Sequence, residues 1–146
     1  MAARRPSLAV GIIGQNHGHR LDRLLRHASH FADEIVYVDG GSTDASAEVV
    51  ATFPKARFIH HPFDGNFARQ RNVVMDQLRS DWVLFLDTDE LAGPQLVGLL
   101  PLLLGSGFGS VSMPRYWLAS EAPARYVDSP RHYPDRQTRL IRNRPA

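Results

Sequence analysis

The residues best placed to do chemistry are two carboxylates, Asp87 and Asp89, which follow the apolar run Trp82 to Leu86 and are separated by Thr88. In an extended backbone alternate side chains point the same way, so this spacing predicts that the pair converges just past the carboxyl end of a strand. Two hard oxygen donors there suit a divalent cation, and a cation so held suits a diphosphate. An acidic turn accounts for the same residues without a ligand. A third carboxylate, Asp39, closes the apolar segment Glu34 to Val38 and opens Gly40-Gly41-Ser42-Thr43-Asp44. The two glycines let a ligand approach the backbone, and the helix start that follows favours anions. A capped turn explains Gly40 to Asp44, but not why a strand should end in Asp39.

The surrounding elements must bring these carboxylates together. Ser7 to Ile13 reads as a buried strand bounded by Gly14-Gln15-Asn16, and Leu21, Leu24, Leu25 and Ala28 mark a helix over 19–28. A second strand over 34–38 leads to a helix over 45–52, whose start the hydroxyls and carboxylate of the preceding turn can cap. A short strand over 56–60, a helix over 67–78, a fourth strand over 82–86 and a helical stripe at Leu96, Leu99, Leu100 and Leu103 follow. Gly109 to Arg115 predicts one more strand, and the Pro- and Arg-rich stretch after it reads as irregular. Alternation of strand and helix at this spacing predicts an α/β fold with a parallel, doubly wound sheet covered on both faces. Ligands of such sheets sit outside the carboxyl ends of the strands, where Asp39 and the Asp87/Asp89 pair fall.

Composition narrows the class. With 146 residues, 43% apolar and 22% charged, the chain is expected to be one domain with its own core. It has no cysteine, which removes disulfides and thiolate metal sites. The basic residues are sixteen Arg and one Lys, a skew that mildly favours a phosphorylated ligand, while no like-charge run points to nucleic acid. The apolar run Leu96 to Leu104 falls short of the ~20 residues needed to span a bilayer and contains Gly98 and Pro101. Arg4-Arg5 ahead of Leu8 to Ile13 reads as the approach to a first strand rather than a signal peptide. His17, His19, His60 and His61 lack the helical spacing of a zinc pair and read as loop and surface residues.

Four segments together resemble the family 2 inverting glycosyltransferases of GT-A fold: Leu8 to Asn16, Phe31 to Asp44, Asn66-Phe67-Ala68-Arg69-Gln70-Arg71-Asn72, and Trp82 to Glu90. Pro134-Asp135-Arg136-Gln137-Thr138-Arg139-Leu140-Ile141-Arg142 extends the likeness toward a subgroup that builds bacterial lipopolysaccharide cores and related glycans. The resemblance implies a three-layer sandwich with a mainly parallel sheet, and metal-dependent transfer of a sugar from a nucleotide-diphosphate donor, a UDP-sugar, to the hydroxyl of a glycan or lipid-linked acceptor. It implies that Gly14 and Asn16 line the nucleoside pocket, that Asp39 accepts a hydrogen bond from the nucleoside, and that Arg71 faces the nucleotide. Asp87 and Asp89 would hold Mg2+ or Mn2+ on the diphosphate. His17 departs from the acidic residue usual after the first-strand Asn.

An inverting mechanism needs one carboxylate to deprotonate the acceptor hydroxyl. In the family this base generally follows the segment matched by Arg139 to Arg142, which leaves Asp135 as the candidate within this chain. Its other reading is a turn residue or the partner of a neighbouring Arg. The chain 1–146 is thus expected to be a nucleotide-sugar-binding domain lacking part of the acceptor side, cytoplasmic, and in peripheral contact with the inner membrane face if its acceptor is lipid-linked. Two alternatives stand beside it. One is a module that binds nucleotide or a partner without turnover. The other is a haloacid-dehalogenase-type phosphatase, whose nucleophile strand Leu84 to Asp89 mimics; it would require a downstream Lys, and the chain's single Lys, Lys55, lies upstream.

Overall fold

A computed structural model describes residues 4–144. The elements run β1 (Leu8–Gly14), α1 (Gly18–Ser29), β2 (Glu34–Asp39), α2 (Ser46–Ala51), β3 (Ala56–His60), α3 (Phe67–Gln77), β4 (Trp82–Phe85), α4 (Pro94–Leu104), β5 (Ser110–Arg115), β6 (Leu118–Glu121), β7 (Ala124–Tyr126) and β8 (Asp135–Arg142). Six strands form one sheet in the order β3-β2-β1-β4-β8-β5, while β6 and β7 make a separate hairpin. The first four strands are mutually parallel, and β8 enters antiparallel between β4 and β5. The result is the mainly parallel α/β sandwich expected.

Alternation along β1 sets up the layers. Leu8, Val10 and Ile12 point to one face and pack with Leu21, Leu24 and Leu25 of α1, Val50 of α2 and Leu100 and Leu104 of α4. Ala9 points to the other, with Val36, Val38, Val83 and Phe85, and is covered by Val74 of α3. β1 is buried on both sides, which is why it reads as a continuous apolar run. Trp82 is fully buried, as its place in a strand suggested, and its indole N–H donates to the Leu104 carbonyl at 3.1 Å, tying β4 to the end of α4.

The irregular reading of the stretch after Arg115 was wrong. It contains β6, β7 and the eight-residue β8. In β8 only Leu140 and Ile141 are apolar, and Arg136, Arg139 and Arg142 hide the period-two pattern. Its strand state comes from neighbours distant in sequence, with Leu84 paired to Leu140 on one side and Arg115 to Asp135 on the other. Pro114 is accommodated because β5 is the sheet's edge.

At the amino-terminal edge, acids close the strand starts. Asp33 accepts from the Leu8 N–H at 2.8 Å, Asp81 from the Ser7 N–H at 2.7 Å, and Glu34 from the Arg79 and Ser80 N–H groups at 2.8 and 2.7 Å. Arg57 also donates to Glu34 at 3.1 Å. Burial pushes the Glu34 pKa up, but the bonds from Ser80, Arg79 and Arg57 outweigh it and hold the carboxyl below its ordinary 4.5. A depressed folded-state pKa contributes stability above the unfolded value that is lost as pH falls through the folded one. Glu34→Gln is therefore expected to lower stability by about 1–3 kcal/mol at neutral pH. In urea titrations the gap to wild type should close as the pH drops below 4.5; a gap independent of pH would remove the charge from the account.

Candidate nucleotide and metal site

Three loops meet at the carboxyl-terminal edge. Gly14 is level with Asp39 in the β1–β2 register, and Gly11 is level with Phe85 across β1–β4. The Asp39 loop and the Asp87–Asp89 turn therefore flank the β1–α1 loop, which is bonded to both. Asn16 accepts from the Thr43 N–H at 2.8 Å and its own N–H donates to the Ser42 hydroxyl at 2.7 Å. The Gly18 N–H donates to Asp44 at 2.8 Å, and the His17 ring nitrogen Nδ1 shares a 2.7 Å hydrogen bond with the Thr88 hydroxyl. Asn16 pays for this bridging position with φ 57°, a left-handed conformation that Asn tolerates better than most residues.

Gly14 is small for a reason of contact. A Cβ there would come within 2.9 Å of both the Thr88 methyl and the Tyr37 hydroxyl. Gly41 has φ 112°, which its lack of a side chain permits. That conformation wraps the backbone around Asp39, whose carboxylate is 1% exposed and accepts from the Gly41 and Ser42 N–H groups at 2.9 and 2.8 Å and from the Ser42 hydroxyl. Asp39 thus shapes its own loop. His60 Nδ1 lies 3.5 Å away on the adjacent strand end. Beneath the loop the Tyr37 hydroxyl has no hydrogen-bond partner among the described residues. Burial first, then the Asp39 carboxylate, pushes its pKa up to about 12, so it stays a neutral phenol. The carboxylate of the preceding turn caps α2 as expected, Asp44 accepting from the Ser46 N–H at 3.0 Å, while Ala45 occupies the cap position without a side-chain bond.

The convergence expected of Asp87 and Asp89 from strand alternation does not occur by that route. β4 ends at Phe85, and the Glu90 N–H donates to the Asp87 carbonyl at 2.9 Å, closing a tight turn over 87–90. Asp87 is instead held by two arginines, Arg139 at 3.0 Å and Arg71 at 3.4 Å. Arg139 also reaches Glu90 at 2.6 Å; Glu90 contacts Arg115 at 3.4 Å, and Arg115 reaches Asp135 at 2.6 Å. Arg71, Asp87, Arg139, Glu90, Arg115 and Asp135 form a ladder of alternating sign in which three cations match three anions. Asp89 stands outside it, exposed and with no ion pair or hydrogen bond among the described residues.

Sequence reasoning reached Asp87, Arg71 and Asp135 but missed the roles of Arg139, Glu90 and Arg115. The one signal in the sequence was Arg139 directly before the apolar pair Leu140-Ile141. It is 8% exposed, and an Arg buried to that degree must be paired. Asp135 receives Gln137 Nε2 at 2.8 Å, Arg115 Nε at 2.8 Å and Trp117 Nε1 at 3.2 Å. The Gln137 bond, then the Arg115 bond, lowers its pKa further. A general base works best with a pKa near the operating pH, so this geometry opposes the base role expected for Asp135 and favours its other reading, partner of a neighbouring Arg.

The donor set suits a cation that arrives with its ligand. No group of three or more His, Cys, Asp or Glu side chains among the described residues could hold a metal ion. The free carboxylate of Asp89 and the shared one of Asp87 match Mg2+-type chemistry, in which one or two carboxylates and substrate phosphates complete the shell.

A parallel-rich sandwich with an acidic turn and a glycine-containing loop at the carboxyl ends of its strands defines an α/β domain whose ligand edge is expected there. Comparison with known proteins specifies it. Residues 12–144 match the model of glycosyl transferase family 2, and the chain belongs to that family. It is 28% identical over 87 residues to the SPbeta prophage-derived glycosyltransferase SunS of Bacillus subtilis, covering 59% of this chain and 21% of that one. It is 38% identical over 77 residues to the lipopolysaccharide core biosynthesis glycosyltransferase LpsC of Rhizobium meliloti, covering 50% and 28%. The chain thus spans less than a third of the length of these curated relatives. Among solved structures, a mannosyltransferase from Pyrobaculum calidifontis in complex with GDP-Man and Mn2+ superposes with a TM-score of 0.64 at 21% identity, over 77% of this chain and 36% of that one. Glucosyl-3-phosphoglycerate synthase from Mycobacterium tuberculosis, in complex with Mn2+, UDP and glucosyl-3-phosphoglycerate, superposes with a TM-score of 0.59 at 21% identity, over 72% and 42%. These likenesses bear out the GT-A fold.

The ladder makes a testable demand. Arg139→Met leaves Asp87 and Glu90 facing each other and is expected to cost about 2–4 kcal/mol, toward the lower end of buried-pair losses because Asp87 is 36% exposed. Urea denaturation measures it. Wild-type stability in Arg139→Met would mean that the turn is held without Arg139, by its backbone bond, the Glu90 carboxylate on the Asp87 N–H at 2.9 Å and Arg71.

Proposed function

We propose that this chain is the donor-binding part of a metal-assisted glycosyltransferase that takes a sugar from a UDP-sugar and passes it to the hydroxyl of a glycan or lipid-linked acceptor. The observation that carries the reading is the bonding of one loop, 14–18, to both the Asp39 loop and the Asp87–Asp89 turn. The nucleoside would lie against Gly14, Asn16 and Asp39. The spare lone pairs of Asp39 are what remain for it, since both carboxylate oxygens already accept protein donors. Asp87 and Asp89 would hold Mg2+ or Mn2+, whose part is to neutralise the diphosphate as it leaves. Arg71 is 40% exposed, and its single 3.4 Å contact with Asp87 leaves donors free for a phosphate oxygen. The Mn2+ named with the two structural relatives and the partial match to LpsC support a divalent cation and an envelope-glycan acceptor. No helix among the described residues is long and apolar enough to cross a membrane.

Arg71 and Arg139 already offset Asp87, so the need for a cation rests mainly on Asp89. UDP is expected to bind weakly in EDTA and more tightly with Mn2+. Asp89→Asn should lose roughly tenfold or more of the Mn2+-dependent affinity, the scale on which even outer-shell partners of a metal act, with the melting temperature unchanged. Calorimetry giving one affinity with and without Mn2+ would take the metal out of the mechanism.

A second reading, a module that binds nucleotide without turnover, is favoured by the ion-paired state of Asp135. Loss of a general base removes ~10²- to 10⁴-fold of rate, so this chain alone is expected to bind donor and transfer sugar poorly. Donor turnover against a panel of glycan acceptors, with Asp135→Asn beside wild type, decides it. Robust transfer retained in Asp135→Asn would place the base on another residue and end this second reading.

A further inference from the structure

Between β5 and β8 the chain leaves the sheet at Arg115 and returns at Asp135, both on the edge that carries Asp87 and Glu90. This excursion exposes a concentration of rings unlike the rest of the surface. Tyr116 and Trp117 are each 47% exposed and Tyr126 48%, with Leu118 and Val127 beside them. The Tyr116 and Tyr133 rings stack with centroids 5.0 Å apart, and Tyr126 meets Tyr116 edge-on at 4.9 Å. Trp117 carries the Arg115 guanidinium 4.7 Å from its ring centroid and donates its N–H to Asp135. Exposed aromatics grouped to this degree mark a binding surface.

From these contacts we infer that the Tyr116–Tyr126–Tyr133 cluster with Trp117 is a carbohydrate platform that receives a pyranose ring of the acceptor. The assignment of that sugar as acceptor rests on the proposed function; the platform itself does not. Three arguments select a sugar. A pyranose presents C–H bonds on its faces and hydroxyls around its rim; the former suit the negative face of an aromatic ring and the latter suit phenol hydroxyls. Every aromatic ring of the cluster has such a polar handle, and exposed Arg125, Asp128 and Arg131 lie in the same excursion, a mixture that suits a polyol better than acyl chains. Position agrees as well. The nucleoside loops lie at β1 and β2, the diphosphate turn at β4, and the excursion springs from β5 and β8 on the far side of that turn, where the next reactant must enter. The surface is also held in place at its base, where its two ends are joined through Arg115 and Asp135 at 2.6 Å. Preorganisation of this kind reduces the cost of binding.

The two tryptophans make the test direct, because Trp82 is fully buried and Trp117 is not. Acrylamide quenching therefore reads Trp117. Methyl glycosides of glucose, galactose, mannose and N-acetylglucosamine, and disaccharides of each, are titrated against it. At least one is expected to protect Trp117 saturably. Tyr126→Ala should weaken that protection by about five- to tenfold, the scale of one aromatic contact, while Tyr126→Phe retains it. UDP affinity should be unchanged in both variants. The inference is overturned if no glycoside protects, if protection survives Tyr126→Ala and Tyr133→Ala, or if Trp117 is shielded only by phosphatidylglycerol vesicles or by raising the protein concentration. Glycoside protection in a protein that fails to bind UDP would refute the proposed function and leave the platform standing.

Discussion

Arg139 is a nearly buried guanidinium in the strand beside β4, and the carboxyl-terminal edge is arranged around its need for partners. A charge withdrawn from water must be paired or lose several kcal/mol. Asp87 and Glu90 supply that pairing from the turn that follows Phe85, which the Glu90 N–H to Asp87 carbonyl bond and the Asp87 N–H to Glu90 carboxylate bond also close, each at 2.9 Å. Through Glu90 the same interaction reaches Arg115 and Asp135, so the start of β8 and the end of β5 are set by it too. One buried guanidinium thereby connects the Asp87–Glu90 turn with the aromatic excursion.

The ladder also divides labour between two carboxylates that the sequence presents as equals. Asp87 is neutralised within the protein and serves as structure and anchor, whereas Asp89 carries the one anionic charge on the turn left without a partner. The turn is thus charge-balanced except at Asp89, with the 40% exposed Arg71 on the other side of Asp87.

Hydrogen bonding plays the corresponding part in the Asp39 loop. Asp39 and Asp44 each accept from backbone N–H groups of neighbouring turns, which fixes the loops before any ligand arrives. His17 shares a hydrogen bond with Thr88 and so connects the first loop with the Asp87–Asp89 turn.

The sequence by itself determined what depends on local periodicity. Leu8 to Ile13, Ile35 to Val38 and Trp82 to Phe85 are buried on both faces, and their unbroken apolar character announced the central strands. The stripe Leu21, Leu24, Leu25 and Ala28 announced α1. Because parallel strands present their carboxyl ends on one edge, the shared location of Asp39, Asp87 and Asp89 followed from the alternation of elements. Tertiary structure decided what depends on partners far away in the chain. β8 is a strand because β4 and β5 flank it, and its arginines masked the pattern that would have shown this. The expected extended pair is a turn, and ion pairing with Arg139, 52 residues distant from Asp87, commits one of its carboxylates while Asp89 stays free among the described residues. Asp135 became the acceptor of three side chains from one end of the excursion and its neighbours, a commitment that no local spacing encodes, since side-chain electrostatics act through space and not along the chain.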